Sequence, residues 1–134
     1  MVHYRSGYKY QLCEPFQIQT PIRPPFNIHS EYLHLTDAGL LGIEKGYAWD
    51  GPSGPTLDPP CAMRGSLVHD ALYQLIRECQ IGQEYRSVAD QIFYDLLLED
   101  GMWRPRAWYW YQGVRLGAGP ASRPSGGRPV LVAP

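Results

Sequence analysis

Three residues near the middle of the chain have the types that a general base and its supporting groups require. His69, Asp70 and Tyr73 fall in a segment whose apolar residues recur with a helical period. At about 100° per residue, His69 and Tyr73 form a stripe with Arg77 on the polar side of this helix, and Asp70 lies beside His69. The simple interpretation is a solvated polar face, because most surface helices carry one.

A second predicted helix carries a carboxylate, Asp90, at the edge of its apolar side. A carboxylate in such a place costs on the order of several kcal/mol unless it finds partners. Arg77, Arg86 or a tyrosine hydroxyl could supply a purely structural bond. In the arrangement that we favour, two antiparallel helices bring Asp90 against His69, and Tyr73 donates to the same carboxylate. Asp90 would then fix the histidine tautomer and stabilise the protonated ring, as in a dyad that activates water.

A long loop, residues 46–60, leads directly into the first of these helices and contains three glycines and four prolines. Loops of this length inside compact domains are usually functional or disordered, and Trp49, Leu57 and two aspartates favour an ordered one. We therefore predict that Trp49 forms a wall of the site, together with Arg77 and Arg86.

The same loop offers oxygen ligands for a cation. A carboxylate with backbone carbonyls from a glycine-rich loop suits Ca²⁺ and suits zinc poorly. The sequence thus predicts a calcium site formed by Asp70, Asp50, Gly51 and Gly54. The alternative is structural, since Asp70 could simply accept backbone N–H bonds from the loop.

The elements that position these residues define an α+β fold. Apolar and polar residues alternate in the first half of the chain, which predicts strands around residues 8–12 and 16–19 and a hairpin joining 32–35 to 40–45. The second half predicts three helices. Their expected spans are residues 61–79, residues 87–100 with Gly101 as a stop, and an aromatic helix from Pro105 to about Gly117.

Length and composition limit the class of protein. The chain has 134 residues, of which 44% are hydrophobic, so it can form one domain over residues 1–116, followed by a Pro/Gly-rich tail at 117–134. A net charge of −1 argues against nucleic-acid or membrane binding driven by bulk charge. No apolar run reaches the length of a membrane span, the N-terminus lacks a signal-peptide core, and three cysteines without a C-x-x-C pair favour a reducing compartment.

Over roughly residues 40–117 the chain resembles a domain-of-unknown-function family that is common in tailed phages and prophages. The matching motifs are Gly46-Tyr-x-x-Asp-Gly-x-Ser-x-Pro, His69-Asp-x-Leu-Tyr73 with Arg77, Arg86-x-x-x-Asp90-x-x-Phe93, and an aromatic helix ending in Val114, Arg115 and Gly117. The resemblance implies a phage or prophage origin and a location in the host cytoplasm, the virion or both. It supplies no activity.

The loop and the His-Asp-x-x-Tyr helix are also similar to those of phospholipase A₂. That resemblance implies that His69 activates water, Asp70 is the calcium carboxylate, Tyr73 supports the dyad and Asp90 stands behind the histidine. The chain departs from those enzymes in its scattered cysteines, which form no disulfide clamp, in the glycine pattern of its loop and in its N-terminal strands.

Two functions from different classes follow. The first is a calcium-assisted hydrolase of a phospholipid or another ester, with His69 as general base oriented by Asp90 and Tyr73. The second is a non-enzymatic virion, tail or assembly protein that docks on other phage structural proteins through its tail and keeps the His/Asp network as a structural feature.

Two further chemistries have less support. A metal phosphohydrolase would need His34 beside His69, but His34 is expected on a strand and that enzyme class is helical. Cysteine catalysis is weaker still, because Cys79 is expected on an apolar face and Cys61 stands among prolines without an evident histidine partner.

Overall fold

The computed structural model describes residues 4–5, 10–49 and 60–117. Strands occupy the first part of the described chain and three α-helices the second, which confirms the α+β class. The described residues divide into two compact units, a strand unit (residues 4–5 and 10–49) and a helical unit (residues 60–117). The expectation of one domain over 1–116 stays a prediction, and almost all of the expected tail lies outside the described residues.

The strand unit contains two antiparallel sheets. In the first, the order is β1-β2-β7, with β1 at Tyr4–Arg5, β2 at Tyr10–Leu12 and β7 at Ala48–Trp49. In the second, the order is β3-β6-β5-β4, with β3 at Phe16–Gln19, β4 at Ile28–His29, β5 at Leu33–Leu35 and β6 at Leu40–Ile43. Inward-facing aliphatic side chains of the second sheet are fully buried, namely Leu33, Leu35, Leu41 and Ile43.

The predicted hairpin is present as β5 and β6, which pair with Leu35 opposite Leu41. Gly39 forms its turn with a φ of 92°, a left-handed conformation that glycine adopts without a steric penalty. Its N–H donates to the carbonyl of Thr36 at 2.9 Å, and the Thr36 hydroxyl accepts from the N–H of Leu40 at 3.0 Å. Local turn chemistry thus fixes the register of this hairpin.

The expected loop starts later than the sequence analysis placed it. Ala48 and Trp49 form β7 and pair with β2, so the prediction of a loop beginning at Gly46 was wrong at this end. Tyr47 and Trp49 are both fully buried. A two-residue strand is too short to show periodicity, which is why the sequence pattern also gave no signal for β1 and β4.

The helical unit consists of α1 at Met63–Arg77, α2 at Arg86–Glu99 and α3 at Arg104–Gly117, with single 3₁₀ turns at Pro60–Ala62 and Gln83–Tyr85. All three predicted helices are present within two residues of their expected bounds. Gly101 follows α2 with a φ of 98°, as expected of a glycine that ends a helix. Among the described residues, no helix has the length and hydropathy to cross a membrane.

Helices α1 and α2 are antiparallel. Arg64, at the start of α1, donates to Asp100 and Glu99 at the end of α2, at 2.7–3.0 Å. Gly65 lies where the two helices approach, since a Cβ added there would stand 3.3 Å from the Phe93 ring. The apolar sides of both helices are buried, and α3 packs on α2 through Ala107.

Candidate functional site

His69 and Asp90 are in direct contact, as the helical patterns predicted. The Nε2 atom of His69 lies 2.7 Å from Oδ1 of Asp90, and the Tyr73 hydroxyl donates to the same oxygen at 2.6 Å. The Asp90 side chain is completely buried. Three polar groups that the sequence placed on two separate helices therefore form one buried cluster.

The packing of α1 on α2 produces this cluster. His69 and Tyr73 stand four residues apart on α1, so they share a face, and their ring centroids lie 4.2 Å apart. Phe93, one turn after Asp90 on α2, also packs against the imidazole, and the two ring centroids lie 5.1 Å apart. The imidazole is thus confined between two aromatic rings and a carboxylate.

The simple interpretation of the polar stripe as a solvated face was wrong. His69 is 6% exposed and Tyr73 is 3% exposed, because the stripe faces α2 and not the solvent. Only the edges of the stripe, Asp70 and Arg77, are half-buried. Both the polar and the apolar side of α1 are therefore buried, which a periodic pattern alone does not reveal.

A fourth member of the cluster was missed by the sequence analysis. Arg115, in the last turn of α3, donates to Oδ2 of Asp90 at 2.8 Å. The cation bonded to Asp90 therefore comes from the third helix, whereas the structural alternative had named Arg77 or Arg86. Two signals could have found it: a buried carboxylate needs a cation, and Arg115 belongs to the motif that ends the aromatic helix.

Asp90 is an ionised acceptor. Burial by itself raises the pKa of Asp90, but hydrogen bonds from His69 and Tyr73, the charge of His69 and the hydrogen bond from Arg115 outweigh burial and lower it. An ionised carboxylate only accepts hydrogen bonds, so the Nε2 atom of His69 must carry a proton and donate a hydrogen bond to Asp90. In neutral His69, the lone pair then lies on Nδ1.

The Nδ1 side of His69 faces Asp70. The distance from Nδ1 to Oδ1 of Asp70 is 3.8 Å, which is longer than a hydrogen bond. Burial lowers the pKa of His69, but the neighbouring carboxylates of Asp70 and Asp90 outweigh burial and raise it. Burial, followed by the adjacent Asp90, raises the pKa of Tyr73, which therefore stays protonated as a donor.

The predicted calcium ligands are only partly described. Asp70 has an oxygen donor of the kind that Ca²⁺ prefers, on a side chain that is 30% exposed. Asp50, Gly51 and Gly54 lie outside the described residues. Within residues 4–5, 10–49 and 60–117, no three His, Cys, Asp or Glu side chains are grouped as a metal site. The calcium site stays a prediction. Asp70 fits this prediction as one ligand.

The three residues that were predicted to form a site wall do not all belong to the same unit. Arg77 ends α1 and Arg86 begins α2, where its charge acts on the Tyr73 hydroxyl. Trp49 lies in β7 of the strand unit and contacts the ring of Tyr10 there, with a centroid distance of 5.7 Å. The role of these three residues in a site stays a prediction.

The residues of the less supported chemistries have other surroundings. His34 is on β5, as expected, and its two ring nitrogens contact His29 and Glu44. Cys79 does not lie on the apolar face of α1: it follows the end of the helix, is exposed and has a φ of 62°. Cys61 lies in the 3₁₀ turn before α1.

The cluster can perform one kind of chemistry from the described residues alone. A histidine whose Nε2 is held by a carboxylate presents Nδ1 as a proton acceptor, which is the arrangement of a general base.

Comparison of the chain with family models, with curated proteins and with solved structures gave no match. The geometry of His69, Asp70, Tyr73, Asp90 and Arg115 is thus the basis for a functional proposal.

Proposed function

We propose that this protein is a hydrolase of carboxylic esters, lipid esters included, in which His69 is the general base. The observation that carries the proposal is the bond from His69 Nε2 to the ionised, fully buried Asp90, which leaves the lone pair of Nδ1 directed toward Asp70.

Each residue then has a distinct part in the reaction. The Nδ1 atom of His69 takes a proton from a water molecule as the water oxygen bonds to the ester carbonyl carbon, and the imidazolium then returns this proton to the alcohol oxygen as the ester C–O bond breaks. Asp90 stabilises the imidazolium that forms, and Tyr73 holds the carboxylate in place. A calcium ion held by Asp70, with Asp50 and the carbonyls of Gly51 and Gly54, would supply Lewis-acid stabilisation of the oxyanion.

His69→Gln tests the proposal, because the glutamine amide can still donate to Asp90 but cannot act as a base. We expect ester hydrolysis to fall by about 10²- to 10⁴-fold, measured as acid release from short-chain esters and from phospholipids, with calcium and with EGTA. His29→Gln is the matched control, since His29 is an exposed histidine of the strand unit. Unchanged hydrolysis in His69→Gln, or no hydrolysis of any ester by the wild type with calcium, would refute the proposal.

A second candidate function is a non-enzymatic component of a phage particle or its assembly. One observation favours it: both oxygens of Asp90 are bonded and Arg115 balances its charge, so the network is complete as a structural device. Mass spectrometry of purified particles distinguishes the candidates, because a structural component would be present in stoichiometric amounts. A phage carrying His69→Gln would still assemble under this second function.

A further inference from the structure

The outer side of α3 exposes an unusual number of large apolar side chains. Trp103 just before the helix is 76% exposed, Trp108 is 54%, Tyr109 is 77% and Leu116 is 84% exposed. Among the described residues, Phe26 is the one other large apolar side chain with comparable exposure. The inner side of α3 already packs on α2 through Ala107 and the residues around it, and Trp103, Tyr109 and Leu116 lie outside that core. The exposed Trp108 also contacts the rings of Tyr94 and Tyr111, at centroid distances of 6.4 and 5.7 Å.

The charge of the same segment has one sign. Arg104 and Arg106 are exposed, and no aspartate or glutamate occurs from Trp103 to Gly117. The remaining cation, Arg115, points inward to Asp90. Because the whole chain has a net charge of −1, attraction to an anionic surface requires a local cationic patch, and this segment has one.

We propose that the α3 face, formed by Trp103, Arg104, Arg106, Trp108, Tyr109 and Leu116, docks on an anionic lipid surface. Tryptophan and tyrosine favour the headgroup level, where the ring is in an apolar environment and the polar tip is hydrated. Arginines beside them attract anionic headgroups. A single convex helix with aromatic, aliphatic and cationic side chains fits a planar interface, and the absence of acidic residues favours lipid over a protein surface of mixed charge.

The position of α3 links this surface to the site described above. Arg115 connects the inner side of α3 directly to Asp90, so about one helix diameter, roughly 10 Å, separates a bilayer under α3 from the His/Asp cluster. In this respect the inference rests on the proposed function, since docking of α3 would bring lipid esters close to His69. Lipid binding itself requires no hydrolysis and is tested separately.

The test is co-sedimentation of the full chain with vesicles, together with its tryptophan emission. We expect binding to vesicles of equimolar phosphatidylcholine and phosphatidylglycerol with a blue shift, weak binding to pure phosphatidylcholine, and weaker binding at high salt. A Trp103→Ala/Tyr109→Ala variant should lose the binding. An Arg104→Gln/Arg106→Gln variant should bind about 25-fold more weakly, at about fivefold for each arginine.

Matched controls come from exposed residues of the strand unit. Phe26→Ala removes an aromatic side chain that is 60% exposed, and Lys45→Gln removes an exposed cation; both variants should bind like the wild type. No binding by the wild type, or equal binding by the α3 variants, would overturn the proposal. Concentration-dependent dimerisation that the α3 variants abolish would also overturn it, by assigning the face to a second copy of the chain.

The outcome is separable from that of the proposed function. Vesicle binding without hydrolysis of any ester would support the α3 face and refute the hydrolase. Hydrolysis of a water-soluble short-chain ester without vesicle binding would refute the α3 face and support the hydrolase.

Discussion

At the scale of single residues, Asp90 has the one fully buried carboxylate among the described residues. It accepts bonds from a histidine, a tyrosine and an arginine that come from two other helices. A charge with no exposure to solvent depends on such partners, because each partner that is removed leaves its burial less well compensated. Each donor can therefore be tested by a substitution that removes it alone.

Arg115→Met should destabilise the protein by about 3–5 kcal/mol, since it leaves a buried carboxylate without its cation. Urea unfolding, monitored by circular dichroism, measures this change in the free energy of unfolding. Arg104→Met, at the exposed start of the same helix, should change stability by less than about 0.5 kcal/mol. Equal effects of the two substitutions would show that Arg115 contributes no more than a surface arginine.

Tyr73→Phe should cost about 1.5–3 kcal/mol, because it removes a hydrogen bond to a charged group and keeps the ring. Tyr109→Phe removes a hydroxyl from a side chain that is 77% exposed and should have almost no effect. The same unfolding measurement compares the two. If Tyr73→Phe is as stable as the wild type, the hydroxyl does not stabilise Asp90.

Three members of the cluster could be predicted from the sequence and the fourth could not. His69 and Tyr73 share a helix face by their spacing, and Asp90 stood out as a carboxylate on an apolar edge. The contribution of Arg115 depends on how α3 is rotated against α2, which no local pattern determines. The burial of the polar stripe was missed for the same reason, since it depends on what covers α1.

At the scale of elements, the approach of α1 to α2 depends on the absence of a side chain at Gly65. A Cβ there would stand 3.3 Å from the Phe93 ring and 3.4 Å from the Phe93 carbonyl oxygen, which is backbone and cannot move aside easily. At Gly113 on α3, an added Cβ would have no neighbour within 4 Å. The same substitution should therefore have opposite effects at the two positions.

Gly113→Ala should raise the free energy of unfolding by about 0.5–1 kcal/mol through helix propensity alone. Gly65→Ala should lower it, because crowding at the helix crossing exceeds that gain. Thermal and urea unfolding of the two variants measure the signs directly. Stabilisation by Gly65→Ala would mean that the helices separate at little cost.

The predictability of elements followed their length. All three helices and the β5–β6 hairpin were predicted because each contains several periods of its pattern or a turn with its own chemistry. The two-residue strands β1 and β4 pair with the next strand along the chain and are too short to show a period. The two-residue strand β7 exists through pairing with a strand distant in sequence, with Trp49 opposite Tyr10. Such pairing leaves almost no trace in the local pattern.

At the scale of the whole molecule, the dyad predicts how stability depends on pH. The pKa of Asp90 is lowered in the folded chain, so its contribution is present above about pH 4 and is lost as pH falls through the folded value. The pKa of His69 is raised, so its contribution is complete below about pH 6.5 and is lost as pH rises through the folded value. Stability should therefore be highest between these limits and decline on both sides.

Urea unfolding midpoints measured from below about pH 4 to well above about pH 6.5 test both declines. The measurements include EGTA so that no cation changes the charge beside Asp70. His69→Gln should remove the alkaline decline, because the group that loses its proton there is absent. Part of the acid decline should remain, since Tyr73 and Arg115 still favour ionised Asp90. The surface variant His29→Gln should keep both declines. An alkaline decline that persists in His69→Gln would have to come from another group, and His69 would then not be stabilised as an imidazolium by the two carboxylates that flank it.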